Sequence, residues 1–165
     1  RNAVAFAHAR NEISGGNSMI VRNLLVGLPA ILLCMVVQVA FAFWSVRYSV
    51  RQSSVAKHGL GSLRGVRSIL VAMLAMMLGS VLQIVMWGLL FVALGEFDEY
   101  YEAIYHSAVN FASLGYGDIV MSKDWKLLGP LEAVCGVLML GMTSAALMAI
   151  MQQVIKLQRA ELKLD

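Results

Sequence analysis

The sequence SLGYGD, residues Ser113 to Asp118, lies between two long apolar stretches of the chain. A Gly-Tyr-Gly run is either a surface turn or a row of backbone carbonyls that face one axis. Such a row requires alternate residues to leave the right-handed backbone region, and glycine does this without a Cβ clash. The segments on either side decide between the two interpretations.

The composition is that of a membrane protein. Of the 165 residues, 59% are hydrophobic and 14% are charged, against about 25% charged residues in ordinary globular domains. The basic excess, a formal charge of +3, is small, so nucleic-acid binding has little support. The two cysteines each lie inside an apolar run, and their spacing indicates neither a disulfide framework nor a zinc site.

Three stretches are long and apolar enough to cross a hydrocarbon core of about 30 Å as helices. They are Leu24 to Val46, Ser68 to Gly95 and Leu127 to Ile155, and Glu132 is the only acid within them. We therefore predict an all-α membrane protein with three transmembrane helices. The first of these is assigned to residues 19–46, and the polar residues 1–18 are interpreted as a leader or an external tail.

Charge is distributed unequally between the connecting segments. Residues 47–67 hold five arginines and lysines and no acid, and the positive-inside rule places such a loop in the cytoplasm. The N-terminus and the acidic segment 96–126 are then external, and the tail 156–165 is cytoplasmic. The sequence thus predicts a multi-pass protein of the inner (plasma) membrane.

The external segment contains a short predicted helix, residues 98–112, with Asp98 as its N-cap. About fifteen helical residues extend only some 22 Å, so this helix can enter a membrane but cannot cross it and return. Irregular backbone at membrane depth needs polar partners. A cation suits both the carbonyls of residues 113–118 and the negative end of the helix. We predict a re-entrant helix followed by an ion-binding loop.

Together, the span, short helix, SLGYGD and following span resemble the pore module of the tetrameric potassium channels. The motifs are WGLL at Trp87–Leu90, SLGYGDIV at Ser113–Val120 and WKLLGPLEAVCGVLMLGMTSA at Trp125–Ala145. Over Met19–Gln153 the chain is similar to small bacterial three-span proteins of the two pore domain potassium channel family. This resemblance implies a pore domain over residues 68–155, with outer helix 68–95, pore helix 98–112, filter 113–118 and inner helix 127–155.

The resemblance also implies a homotetrameric pore, since one loop per chain cannot replace the hydration shell of an ion. Potassium would bind at the filter residues, which are Ser113, Leu114, Gly115, Tyr116 and Gly117. Asp118 would brace the outer mouth through bonds to the pore helix or Tyr116. Many channels have threonine where this chain has Asn110 and Ala112-Ser113.

Glu132 is costly in lipid, so it faces protein or water. We expect it to support the filter by bonding to the pore helix, at Asn110, Tyr105 or His106; the alternative is an acid at headgroup level. Further along the same span, Gly136 and Gly141 are candidates for a gate or hinge, and close helix packing explains them equally well. The helical face of Gly141 continues through the candidate cavity-lining residues, Ala145, Met148 and Gln152.

The implied function is passive conduction of potassium, with a non-selective monovalent cation channel or a non-conducting channel-like subunit as alternatives. The expected partners are further copies of the chain and the lipid bilayer. No cofactor besides the permeant ion and no small-molecule substrate is evident. An enzyme is not expected, because His106 and Ser107 adjoin in sequence and cannot face each other on a helix.

Overall fold

The computed structural model describes residues 2–54 and 61–161. These residues form four helices, α1 (Asn2–Ser54), α2 (Gly61–Ala93), α3 (Tyr100–Phe111) and α4 (Leu128–Glu161). Three of the helices are long and apolar enough to cross a membrane, over Gly15–Arg51, Gly65–Ala93 and Leu128–Lys156. The predicted all-α class and its three spans are confirmed.

The long helices extend beyond the predicted spans. α1 begins at Asn2, so residues assigned to a polar tail continue the first helix. The alanine-rich sequence NAVAFAHAR favours a helix there, and the first proline of the chain is Pro29. The basic segment 47–67 is helical up to Ser54 and again from Gly61, while its residues 55–60 lie outside the described part. α4 likewise continues past residue 155 to Glu161.

The short helix α3 is shorter than predicted. Its N-cap is Glu99, in an extended conformation and without a side-chain cap bond. Asp98, the predicted N-cap, therefore lies one residue before the N-cap position and does not cap the helix. Glu102 lies in the first turn, where the helix dipole favours negative charge.

The chain divides into two compact units. The first comprises Arg1–Leu33 and Val85–Gly136, and the second comprises Cys34–Ile84 and Val137–Asp165. Each long helix contributes residues to both units. The whole of α3 and the loop Ser113–Asp118, called the GYG loop below, belong to the first unit.

An aromatic cluster fills the core of the first unit. The Phe91 ring lies 5.8 Å from Trp87, 6.4 Å from Phe97 and 5.7 Å from His106 between ring centroids. Gly88 brings α2 close to α3, because a Cβ at this position would lie 3.0 Å from the Ile104 Cα. These contacts fix α3 against the end of α2.

The core of the second unit contains a buried polar network that joins three helices. The Gln38 amide on α1 donates to Thr143 Oγ1 on α4 at 2.7 Å. The Gln83 amide on α2 donates to Gln38 Oε1, also at 2.7 Å. Gly79 leaves room for this arrangement, since a Cβ there would lie 3.0 Å from Gln38 Oε1. Hydrogen bonds of this kind tie helices together where apolar packing alone gives little specificity.

Candidate functional site

The GYG loop alternates in backbone handedness. Ser113, Gly115 and Gly117 have φ angles of +56°, +60° and +73°, whereas Leu114 and Tyr116 have negative φ. Such alternation turns successive peptide carbonyls toward the same side of the chain, and glycine adopts it without steric cost. The left-handed backbone expected at Gly115 and Gly117 is therefore present, and the binding of an ion by the carbonyls of this loop stays a prediction.

The end of α3 sets the start of this alternation. The Ser113 N–H donates to the Asn110 carbonyl at 2.8 Å, and the Leu114 N–H donates to the Val109 carbonyl at 2.9 Å. This bond pair, with a left-handed residue directly after the C-cap Ala112, is a Schellman motif. Glycine usually occupies that position, and here Ser113 does. Ser113 is thus the left-handed residue of the motif that terminates α3, and it is also the first left-handed residue of the loop.

The outer end of the GYG loop is tied back to α3. The Tyr105 hydroxyl donates to Asp118 Oδ2 at 2.8 Å. This bond favours the neutral phenol and the charged carboxylate. It is the main reason that the pKa of Tyr105 is raised and that the pKa of Asp118 is lowered. Of the two partners expected for Asp118, α3 provides the one that is seen.

Glu132 of α4 lies against α3, where it is fully buried. Its Oε1 accepts a hydrogen bond from the Ser107 hydroxyl at 2.5 Å. Asn110 also interacts with Glu132, and its amide lies 2.9 Å from Nε2 of His106. Burial lowers the pKa of His106, which favours the neutral ring that accepts from Asn110. The predicted residues Asn110 and Glu132 therefore share one cluster, which joins α4 to α3.

Gly136 is a packing glycine in this structure. A Cβ at this position would overlap the carbonyl oxygen of Phe111, at the last residue of α3. A glycine here lets the α4 backbone approach the end of α3 directly. Of the two roles considered for Gly136, close packing has a specific contact in its favour.

The candidate cavity residues lie in the second unit, on one exposed face of α4. Gly141, Ala145, Met148 and Gln152 are all exposed, and a Cβ at Gly141 would meet nothing within 4 Å. Among the residues that the structure describes, none approaches Gly141 as Phe111 approaches Gly136. Its role as a hinge stays a prediction.

The GYG loop itself is exposed in the single chain, with Leu114 54% and Tyr116 66% accessible. Its backbone follows directly on the negative end of α3. Carbonyl oxygens and a helix C-terminus both favour cations. One loop supplies one oxygen at each level, so a complete coordination shell needs further loops around it.

Several contacts at the site were not predicted from sequence. Bonds from Asp118 and Glu132 to α3 were expected, but the donors were not. Asp118 accepts from Tyr105, and Glu132 accepts from Ser107. After the GYG loop in sequence, the Ser122 N–H and hydroxyl both donate to the Glu96 carboxylate, at 2.7 and 2.6 Å. An acid and a serine separated by a long stretch of sequence are too common for their presence to predict such a bond.

A second set of unpredicted contacts joins α1 to the segment after the GYG loop. The Asn23 amide donates to the Asp124 carbonyl at 2.7 Å. The Arg22 guanidinium lies 4.4 Å from the Trp125 ring centroid and also donates to the Asp124 carbonyl, at 3.2 Å. In the sequence, the feature that could have indicated these contacts is the pair of adjacent polar residues, Arg22 and Asn23, directly before the first apolar stretch.

Comparison with known proteins identifies the chain at the level of a family. A model of the ion channel family Ion_trans_2 matches residues 69–153, more than half of the chain. Neither a comparison with curated proteins nor one with solved structures returned a match. The matched range holds most of α2, all of α3 and the GYG loop, and most of α4. The chain belongs to the ion channel family.

Proposed function

We propose that the chain is one subunit of a homotetrameric, potassium-selective channel whose filter is the GYG loop. Four loops around a common axis supply rings of carbonyls that replace the hydration shell of K⁺. Ser113 adds a side-chain hydroxyl at the inner end, and Leu114, Gly115, Tyr116 and Gly117 contribute backbone oxygens. The permeant ion is the substrate of this site.

One observation carries the proposal, namely the alternation of left-handed and right-handed residues from Ser113 to Gly117. The loop is held at both ends, by the Schellman motif that ends α3 and by the Tyr105–Asp118 bond. A surface turn needs neither three alternating left-handed residues nor two such ties.

The orientation is also proposed. Residues 47–67 are cytoplasmic because of their basic charge, and α3 enters the inner (plasma) membrane from outside without crossing it. Its negative end then points toward the centre of the bilayer, where it favours a cation.

The test is reconstitution of the full chain in liposomes, with K⁺ and Na⁺ flux measured in parallel. Gly115→Ala is the informative variant and Gly95→Ala is its control. Both glycines have positive φ and open space where a Cβ would stand, so both substitutions carry a similar conformational cost. Only Gly115 lies in the proposed filter.

We expect the wild type and Gly95→Ala to conduct K⁺ in preference to Na⁺, and Gly115→Ala to lose conduction or selectivity. Equal K⁺ and Na⁺ flux through the wild type would indicate a non-selective cation channel. Absence of flux from a verified tetramer would indicate a non-conducting subunit. Cross-linking of the reconstituted protein shows whether the oligomer has four copies.

A further inference from the structure

An apolar groove lies in the second unit, between α1 and α2. Its volume is about 580 Å³, within the roughly 300–1,000 Å³ typical of ligand sites. α1 contributes Ala40, Phe41 and Trp44, and α2 contributes residues between Val71 and Leu78. The lining residues are all apolar or aromatic, and two of them are alanines. The groove is distinct from the GYG loop, which belongs to the first unit.

Two exposed arginines stand at one end of this groove. On α1, Arg47 lies one turn beyond Trp44; on α2, Arg67 lies one turn before Val71, so the two mark the same end. The Arg67 Nη2 donates to the Tyr48 hydroxyl at 3.4 Å, from α2 to α1. Arg47 lies with its guanidinium 6.0 Å from the Phe43 ring centroid, which keeps it along the surface of α1.

An aromatic pair lies at the same end of the groove as the arginines. The rings of Trp44 and Tyr48 stack with centroids 5.7 Å apart. Tryptophan and tyrosine are enriched at the headgroup level of membranes. From this end inward, the groove thus presents positive charge together with amphipathic rings, then an apolar hollow.

This order matches the parts of one kind of molecule. A phospholipid presents phosphate, then ester groups, then an acyl chain, and arginine is well suited to phosphate because its planar donors bind two oxygens. Residues 47–67 contain no acid to neutralise the arginines. We propose that the α1–α2 groove binds an anionic phospholipid, with its acyl chain in the hollow and its headgroup between Arg47 and Arg67.

The lipid site does not depend on potassium selectivity. Its position in the cytoplasmic leaflet follows from the proposed orientation, and that leaflet carries the anionic lipids of the membrane. Binding to the groove is measured without any ion flux, so failure of one proposal leaves the other standing.

The native fluorescence of Trp44 provides the test, because this ring lines the groove. The full chain is placed in lipid nanodiscs that contain a small fraction of brominated phosphatidylglycerol or, in a parallel set, brominated phosphatidylcholine. Bromine on the acyl chain quenches a nearby indole. The signal of a Trp44→Phe variant is subtracted, which removes the contributions of Trp87 and Trp125.

We expect the anionic lipid to quench Trp44 at a lower mole fraction than the neutral lipid. Arg67→Gln and Arg47→Gln should each reduce that preference by about fivefold. Lys57→Gln, which removes a charge elsewhere in the basic segment, should reduce it much less. Ala40→Phe fills the groove and should reduce quenching by both lipids, whereas Val39→Phe, at an exposed residue outside the lining, should not.

Equal quenching by the two lipids would reduce the groove to ordinary lipid contact and overturn the proposal. Quenching by neither would show that another protein surface covers the groove, such as a second copy of the chain. A preference for the anionic lipid that Lys57→Gln lowers as much as the arginine variants would assign it to bulk charge, against a defined site.

Discussion

The Tyr105 hydroxyl donates to Asp118 Oδ2, thirteen positions further along the sequence. All five proposed filter residues lie between these partners, so the bond closes a loop around the filter. Its inner end is held by backbone bonds to α3, and its outer end is held by side-chain bonds, of which this is one. The outer end is therefore the one that a point substitution can release.

Tyr105→Phe should raise the pKa of Asp118, because the Tyr105 bond is the largest cause that lowers it. Because the pKa of this carboxyl is lowered, Asp118 stays charged and keeps its bond to Tyr105 down to a lower pH. The stability that this bond contributes is lost as the pH falls through that pKa. In Tyr105→Phe the loss should begin at a higher pH. Carboxyl ¹³C shifts of Asp118 against pH measure the pKa, and K⁺ flux against pH measures the consequence.

Tyr101→Phe is the matched control for this experiment, since Tyr101 lies on the same helix and is 78% exposed. It should leave both titrations unchanged. An Asp118 pKa that is the same in wild type and Tyr105→Phe would show that the bond does not hold the carboxylate in the membrane-embedded protein.

Gly136→Ala should destabilise the protein, because the added methyl would meet the backbone carbonyl of Phe111, which cannot move aside by rotating a side chain. Overpacking of this kind typically costs about 1–3 kcal/mol. Gly141→Ala, at a position with open space in the chain, is the control and should change stability little. Thermal unfolding of the detergent-solubilised protein compares the two.

The same pair separates packing from hinge motion. If Gly141 is a hinge, Gly141→Ala should change open probability in single-channel records while the unfolding temperature stays near that of wild type. Equal unfolding temperatures for Gly136→Ala and wild type would contradict the packing role assigned to Gly136.

Thr143→Val should weaken the link between α1 and α4 in the second unit. It removes the hydroxyl that accepts from Gln38 and keeps the shape of the side chain. Hydrogen bonds between membrane helices contribute about 0.6 kcal/mol on average and up to about 1.7 kcal/mol, so we expect a loss of about 1 kcal/mol in the free energy of unfolding.

Ser144→Ala is the control for Thr143→Val, because the Ser144 hydroxyl donates to the Leu140 carbonyl of its own helix. Gln38→Leu should cost more than Thr143→Val, since it also leaves the buried Gln83 amide without its acceptor. Equal stabilities for Gln38→Leu and Ser144→Ala would show that the network does not hold α1 to its neighbours.

The sequence predicted the spans because hydrophobicity and length suffice to identify a transmembrane helix. It also predicted the alternating handedness at Gly115 and Gly117, because glycine is the residue that the left-handed region favours. Ser113 was predicted as an ion ligand and not as a left-handed residue. Its conformation follows from the bonds that end α3, and bonds of that kind have no required side chain.

Contacts between helices were harder to predict. Glu132 was expected to meet α3, because an acid in a span needs a donor, but the donor it meets through Oε1 is Ser107. Gln38 and Gln83 were visible as isolated polar residues in apolar stretches. Their pairing depends on the rotation of each helix about its axis, and uniformly apolar spans carry little periodic signal to fix that rotation.

Ser113 carries two roles that substitution can separate. Its left-handed backbone costs about 1 kcal/mol relative to glycine, and its hydroxyl is the proposed inner ligand of K⁺. Ser113→Gly removes both the strain and the hydroxyl, whereas Ser113→Ala removes the hydroxyl and keeps the strain. Ser113→Thr keeps the hydroxyl and adds β-branching, which the left-handed region tolerates poorly.

The readout is the unfolding temperature at increasing K⁺ concentration, because an ion that binds only the folded protein stabilises it more as its concentration rises above its dissociation constant. Without K⁺, we expect Ser113→Gly to be more stable than wild type by about 1 kcal/mol and Ser113→Thr to be less stable. The increase in stability that K⁺ brings should fall in both Ser113→Gly and Ser113→Ala. If both variants keep the full increase, the hydroxyl is not a ligand, and Ser113 acts only as the residue that ends α3.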